Sequence, residues 1–396
     1  VTSAEPIRIA RIITRLNVGG PAIQAITLSE QLESAGYHTL LIHGRVGSGE
    51  GDMSYLIPSF GRFEVESLNT LRRKIAPLSD ATALTKLVER LREFRPHIVH
   101  THMAKAGSLG RLAALIANLG QSRQSRARIV HTYHGHVLEG YFSGGVARAF
   151  SAAERFLGHR SDALIAVSPS IRQDLLNSHR IGTGDRFHVV PLGFNLRRFA
   201  AIGPAERTAA RHELGVDPTA RVVSLVGRLT AIKQPDQFVT AAAQIAAAVP
   251  NAIFLIAGGG ELEPRLRIQA TSAGLDSRLR FLGWRQDVAT VYAASDLIAL
   301  TSRNEGTPVA LIESMAAAVP GVAFAVGGVP DVITTDITGV LVRPNDLDAF
   351  VVRTVALLRD DGQRRRLGER ARTSVLESYG LDRLVRDIDA LYRQLL

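Results

Sequence analysis

Apolar runs of strand length, each followed by a helix-period pattern, recur along this chain in two series, over residues 7–190 and 222–342. No other feature limits the fold so tightly. A parallel strand cannot be reached through a tight turn, so this alternation marks βαβ units with crossover helices. In the first series strands are expected at 7–13, 39–42, 97–100, 128–132, 163–167 and 187–190, with helices at 21–34, 79–94, 107–119, up to about 157, and 169–177. The second has strands at 222–226, 252–257, 279–282, 296–300, 321–325 and 339–342. Its helices are expected at 235–248, 262–273, 287–294 and from 308 onward. Residues 43–76 show no convincing period and read as a long variable segment, and 191–199 read as a connector. Three helices, over 346–359, 362–378 and 381–396, close the chain. The expected fold class is α/β, with two consecutive doubly wound parallel sheets. Ligands of such sheets sit outside the carboxyl ends of the strands, and two facing domains would form a cleft there.

At 396 residues and 46% hydrophobic content there is enough apolar material for two cores. The absence of cysteine excludes a disulfide scaffold, a thiolate metal site and a cysteine nucleophile. The first residues show neither a basic nor a long apolar leader pattern, and no spanning apolar run follows. A cytoplasmic protein is therefore expected. The net charge of +10 is unevenly placed: 25 Lys and Arg face 15 Asp and Glu up to residue 200, against 22 and 22 beyond it. The front half should therefore meet something anionic. With 6% aromatic residues and no basic–aromatic interleaving, nucleic acid is not the expected partner. An anionic membrane surface or a phosphate-bearing acceptor fits the charge.

The stretch 301–320 carries the most chemistry. Glu305 lies in a polar loop, Gly306, Thr307 and Pro308 follow, and Glu313 falls inside an apolar run where a charge needs a reason. Pro308 suits the first helical position, which would leave the N–H groups from Gly306 through Val309 to Ala310 at a helix N-terminus, ready for an anion. Two carboxylates would repel a phosphate, so they are better suited to accept hydrogen bonds from nearby sugar hydroxyls. The bland alternative is a capped surface helix with a solvated glutamate.

Gly227-Arg-Leu-Thr-Ala-Ile-Lys233 follows an expected strand and brings Arg228 and Lys233 to its carboxyl end. Only four of the 47 basic residues are lysine, and Lys233 is the only one beyond residue 200. These two cations could hold a diphosphate without metal, or could simply form surface ion pairs. Six of the twelve histidines fall between His97 and His136. His131, His134 and His136 lack a nearby carboxylate to complete a metal set, and His134 is better placed to bond a sugar. The turns holding Gly19 and Gly20, and Gly258 to Gly260, lack the Gly-x-Gly-x-x-Gly order of dinucleotide-binding proteins. Asp346-Leu-Asp348 opens an expected helix and reads as a cap rather than a metal site.

Together, Gly227-Arg228, Lys233, Glu305 with Glu313 eight positions later, and Val326-Gly-Gly-Val-Pro-Asp-Val-Ile333 resemble the sugar-donor half of the retaining GT-B glycosyltransferases of family 4. The front half resembles it too, through Gly19-Gly20, Tyr133-His-Gly-His136, Val167-Ser168 and Val190-Pro-Leu-Gly193. The resemblance implies a GT-B fold. Residues 1–198 would form an acceptor domain, 199–378 a nucleotide-sugar domain, and 379–396 a helix crossing back to the first. It implies metal-independent transfer of a sugar from a nucleotide diphosphate, UDP being the expected nucleotide, to a glycan, a lipid-linked or a small-molecule hydroxyl.

In the roles so implied, Glu305 contacts sugar hydroxyls, Glu313 the ribose, and Arg228 and Lys233 the diphosphate. Gly19, Gly20, Gly306, Thr307, Pro308 and Val309 approach through backbone, His134 contacts the sugar, and Trp284 and Arg285 flank the base. No cofactor beyond the nucleotide sugar is expected, and attachment would be peripheral, to the inner face of a membrane. Gly321 and Asp331 depart from the residue types usual at their positions. An epimerase on this fold would need carboxylates in the front domain, where only Glu139 is a candidate. A non-catalytic sugar-nucleotide binder would be expected to lack His134 or Glu305.

Overall fold

The computed structural model describes residues 5–47, 50–57, 63–135 and 144–396. Strands β1 (Ile7–Ile13), β2 (Tyr37–His43), β3 (Glu64–Ser67), β4 (Ile98–His102), β5 (Arg128–Tyr133), β6 (Ala163–Ala166) and β7 (Phe187–Val189) form one sheet in the order β3-β2-β1-β4-β5-β6-β7. All its neighbours run parallel. Strands β8 (Arg221–Val226), β9 (Ala252–Ala257), β10 (Leu279–Gly283), β11 (Leu297–Leu300), β12 (Gly321–Phe324) and β13 (Gly339–Val342) form the second, in the order β10-β9-β8-β11-β12-β13. It too is parallel throughout. In each sheet the strand order reverses beside the first strand, between β1 and β4 and between β8 and β11. Those reversals are where loops diverge and leave room for a ligand at the carboxyl ends.

Helices α1 (Gly20–Glu33), α2 (Pro77–Phe94), α3 (Ala104–Ala117), α4 (Gly144–Arg160) and α5 (Pro169–Asn177) belong to the first series. The second comprises α6 (Arg197–Ala200), α7 (Pro204–Glu213), α8 (Pro235–Ala248), α9 (Glu263–Ser272), α10 (Val288–Ala294), α11 (Val309–Ala316), α12 (Leu347–Arg359) and α13 (Asp361–Tyr379). The last helix, α14 (Leu381–Leu395), belongs with the first sheet: the chain divides into Val1–Phe194 plus Leu381–Leu396, and Asn195–Gly380. Buried Leu384, Ile388, Leu391 and Tyr392 recur at helical spacing and pack against Ile9, Leu28, Leu32 and Tyr37. Burying such side chains contributes about 1.5–3 kcal/mol each, which is enough to dock a single helix. No helix among the described residues is long and apolar enough to cross a membrane.

Local departures from the sequence reading have local causes. Strand β3 lies at a sheet edge with largely exposed side chains, so it carries no apolar alternation to read. Helix α2 begins at Pro77 rather than Ser79, and Asp80 accepts the Ala76 N–H from within the first turn (3.0 Å). Helix α11 begins at Val309, with Pro308 as its cap residue. Asp346 does cap α12, accepting the Ala349 N–H at 3.0 Å. Gly321 has a packing reason: a Cβ there would lie 2.6 Å from Leu311 Cδ2 and 3.2 Å from Ile333 Cδ1, so a bulkier residue would require those side chains to shift.

Candidate active site

At the reversal of the second sheet, the loop after β8 carries Arg228 and Lys233, and the loop after β11 carries Glu305. Lys233 Nζ donates to both carboxylate oxygens of Glu305, at 2.6 and 2.7 Å, and Ser302 Oγ donates to Oε1 at 2.5 Å. The Glu305 side chain is 5% exposed and that of Lys233 24%. An ammonium has three N–H donors and each carboxylate oxygen two lone pairs. One N–H of Lys233 and one lone pair on Glu305 Oε2 therefore stay uncommitted. Arg228 is half-buried, and its guanidinium has no hydrogen-bond or ion-pair partner among the described residues. Ser302 escaped the sequence reading because a serine three residues before a glutamate has no distinguishing pattern.

Close backbone approaches hold this arrangement. Gly328 N–H donates to the Glu305 carbonyl at 3.0 Å. A Cβ on Gly327 would come within 2.0 Å of that oxygen, and one on Gly328 within 1.9 Å of the Gly306 oxygen. The glycine pair of the 326–333 motif thus lets two loops touch beneath Glu305. On the other side, a Cβ on Gly258 would lie 1.9 Å from the Gly227 oxygen, and one on Gly259 2.6 Å from Trp284 Nε1. Gly227 itself has φ +155°, in the region that favours glycine. The Trp284 ring beside this turn is 52% exposed. Arg285 is held in ion pairs with Glu213 (2.9 Å) and Asp287 (3.6 Å). Gly306 and Thr307 N–H groups donate to no protein acceptor among the described residues, and the first turn of α11 has no side-chain cap.

Glu313, one turn into α11, accepts from Tyr292 OH at 2.9 Å. Burial pushes its pKa up to about 7, against the opposing pull of the Tyr292 hydrogen bond and the Arg198 charge. Tyr292 packs edge-on against Phe199 (5.6 Å), and Arg198 lies over the same Phe199 ring (4.5 Å). Arg198 and Tyr292 were not foreseen, since neither lies in a motif. A carboxyl raised from about 4.5 to about 7 leaves the folded state holding more protons than the unfolded one across that window. Its contribution favours folding at low pH and declines as pH rises to about 7, by at most about 3 kcal/mol. Glu313→Gln should therefore flatten the fall in Tm between pH 5 and 8; an unchanged pH profile would contradict the raised pKa.

In the first unit, Gly19 and Gly20 open α1 after β1. Gly19 has φ +152°, and its N–H donates to Met53 Sδ at 3.4 Å. Arg15 grips Glu50 through two bonds (2.8 and 2.9 Å), which ties this turn to the segment that follows β2. His134 follows β5, with Nε2 3.0 Å from His102 Nδ1 and a buried Nδ1 lacking a partner among the described residues. Burial lowers its pKa to about 3, so the ring is neutral. His131 is inside the fold, bonded to Thr101 Oγ1 (2.8 Å). His136 and Glu139 lie outside the described residues. Among those described, no three His, Asp or Glu side chains converge in a way that could hold a metal ion.

Comparison with known proteins covers both units. Residues 18–198 match the family described as Glycosyltransferase Family 4, and residues 206–374 that described as Glycosyl transferases group 1. Over 328 residues, 82% of either chain, there is 30% identity to an Escherichia coli UDP-Gal:alpha-D-GlcNAc-diphosphoundecaprenol alpha-1,3-galactosyltransferase. A Bacillus anthracis N-acetyl-alpha-D-glucosaminyl L-malate synthase is 26% identical over 380 residues, covering 96% of this chain and 95% of its own. Among solved structures, Anabaena HepE in complex with UDP and glucose superposes with a TM-score of 0.82 at 20% identity, over 98% of this chain and all of that one.

Proposed function

This chain belongs to the family 4 glycosyltransferases of GT-B fold and uses a nucleotide sugar as co-substrate, and from that membership we propose a retaining, metal-independent transfer from a UDP-sugar to a lipid-linked glycan. One observation carries the reading: Lys233, Glu305 and Ser302 form a closed cluster at the β8–β11 reversal, and Arg228, in the same loop after β8, has no hydrogen-bond or ion-pair partner among the described residues. Arg228, and the N–H that Lys233 has to spare, hold the diphosphate together with the amides of Gly306 and Thr307. Glu305 Oε2 accepts from a sugar hydroxyl, Glu313 from the ribose, and the exposed Trp284 ring offers a face for the base.

In the reaction the bond between the anomeric carbon and the diphosphate oxygen breaks. The acceptor hydroxyl bonds to that carbon on the same face, and its proton passes to the leaving phosphate. Fixed cations that offset the developing phosphate charge are commonly the largest catalytic contribution. The nucleotide and the lipid-linked acceptor are those named for the Escherichia coli relative. A thermal-shift screen across nucleotide sugars tests the first, since a bound ligand raises Tm by mass action. UDP-sugars should give the largest shift, and a purine-nucleotide sugar giving a larger one would overturn the choice. The anomeric configuration of the product, read by NMR, tests retention.

The first unit should lie on an anionic membrane. Supporting this, Arg8, Arg92, Arg95, Arg123, Arg126 and Arg128 line one recess of about 1170 Å³ at the amino ends of β1, β4 and β5. Each basic side chain near such a surface is worth about 1 kcal/mol. Co-sedimentation with vesicles should rise with phosphatidylserine content, fall with salt, and drop in Arg123→Glu/Arg126→Glu; binding indifferent to anionic lipid would remove the proposal.

A further inference from the structure

Arg11 lies in the middle of β1, fully buried, and its guanidinium has no ion pair among the described residues. Its Nη1 is 3.1 Å from His100 Nδ1 and 3.2 Å from His102 Nε2, while Nε donates to Ser29 Oγ (3.2 Å) and Nη2 to Tyr392 OH (3.4 Å). Tyr392 OH in turn lies 2.5 Å from His100 Nδ1, and His100 Nε2 lies 2.7 Å from Thr132 Oγ1. Beyond His102, the chain of contacts runs from its Nδ1 to His134 Nε2 and stops at the unpartnered His134 Nδ1.

Only one proton arrangement satisfies these contacts. A guanidinium donates and cannot accept. His102 Nε2, facing Arg11, must therefore accept, which puts the single proton of a neutral ring on Nδ1. His102 Nδ1–H then donates to His134 Nε2, and the proton of His134 is left on Nδ1. The same logic orients His100: its Nδ1, facing only donors, accepts the short bond from Tyr392 with Arg11 Nη1 alongside, and its Nε2–H donates to Thr132. Burial lowers the pKa of His100 and His102 well below the ordinary value, so the neutral rings that this arrangement needs are the ones present.

We infer that Arg11 and His102 are positioning residues that lock His134 in its Nδ1–H tautomer, so that His134 offers the bound sugar nucleotide a hydrogen-bond donor and never a base. The inference rests on the reading that His134 meets the sugar nucleotide. It adds what the contact must be: an N–H aimed at an oxygen acceptor, a hydroxyl or a phosphate oxygen. A general base would need an unprotonated nitrogen facing the acceptor hydroxyl, and the nitrogen left over carries the proton. That agrees with a reaction in which the leaving phosphate takes the proton. Tyr392 joins α14 to the same network, so this helix orients the buried arginine and not only the core around it.

Nitrogen-15 NMR of the full chain labelled at histidine reports which ring nitrogen is protonated, and the His134 signals are assigned by their loss in His134→Ala. The expected wild-type spectrum has His134 protonated on Nδ1 only. His102→Phe keeps an aromatic ring but removes the relay, so His134 should then exchange between tautomers. Arg11→Met should do the same through His102. Outer partners that orient a metal-bound histidine are typically worth about 10- to 100-fold, and by analogy His102→Phe should lower kcat/KM for transfer by a factor of that order. A wild-type His134 protonated on Nε2 would overturn the inference without any variant having to fold. So would His102→Phe retaining both the Nδ1–H signal and the wild-type rate. If instead His134 carries Nδ1–H but His134→Ala transfers at the wild-type rate, the contact with the sugar nucleotide fails while the relay stands.

Discussion

Lys233→Ala is expected to lower kcat/KM by about a thousandfold and to destabilise the second unit at the same time. Activity should fall because one of the two cations proposed to meet the leaving diphosphate is gone, and a single such group is commonly worth about 100- to 1000-fold. Stability falls because Glu305, 5% exposed, loses the ammonium that bonds both its oxygens. Breaking a buried pair from one side costs about 3–5 kcal/mol. The 24% exposure of Lys233 puts this pair nearer 2–3 kcal/mol. Adding Glu305→Ala should restore part of that stability without restoring activity, a coupling that a double-mutant cycle would measure. Glu305→Ala by itself should abolish transfer with only a modest loss of sugar-nucleotide affinity. Transfer at the wild-type rate in either single variant would contradict the assignment.

Arg228→Ala should separate the two effects. Its guanidinium has no partner among the described residues, so its removal leaves no orphaned group and the free energy of unfolding should change by less than about 0.5 kcal/mol. Transfer should still fall about 100-fold or more, with Arg228→Lys recovering little, because a planar fork matches phosphate oxygens that a point charge does not. Stability measured by urea unfolding alongside steady-state kinetics checks both halves. A large stability loss would mean that Arg228 has a structural role, and an unchanged rate would remove it from the diphosphate site.

The two variants differ for a reason that could not be read from the residues in order. Both cations sit in one seven-residue loop, where the sequence makes them equivalent, as free phosphate ligands or as surface ion pairs. In the folded chain Lys233 is committed to Glu305, 72 positions away, and Arg228 is not. The histidines divide in the same way. Six in one region suggest ligands or packing, and folding makes His131 a core group, His102 a relay and His134 its end, with a buried Nδ1 that has no partner among the described residues. Glu313 was conspicuous as a charge in an apolar run. Its raised pKa comes from burial, which the packing around α11 decides, and is only partly offset by Tyr292 and Arg198, which no spacing connects to it.

What the sequence by itself determined is the alternation of strand and helix, the two successive parallel sheets, and a carboxylate loop running into a helix start. These follow from apolar period, proline and glycine chemistry and helix-end hydrogen bonding, all of which act over a few residues. The edge strand β3 escaped because its side chains are mostly exposed and leave no period. Only the tertiary structure decided which polar groups close on each other and which are left open. Arg11 and Tyr392, 381 positions apart, share a hydrogen bond because α14 docks against the face of the first sheet. Such pairings are selected by burial, since a polar group removed from water must find a partner. That demand is met by whichever residue packing delivers, and no local pattern announces it.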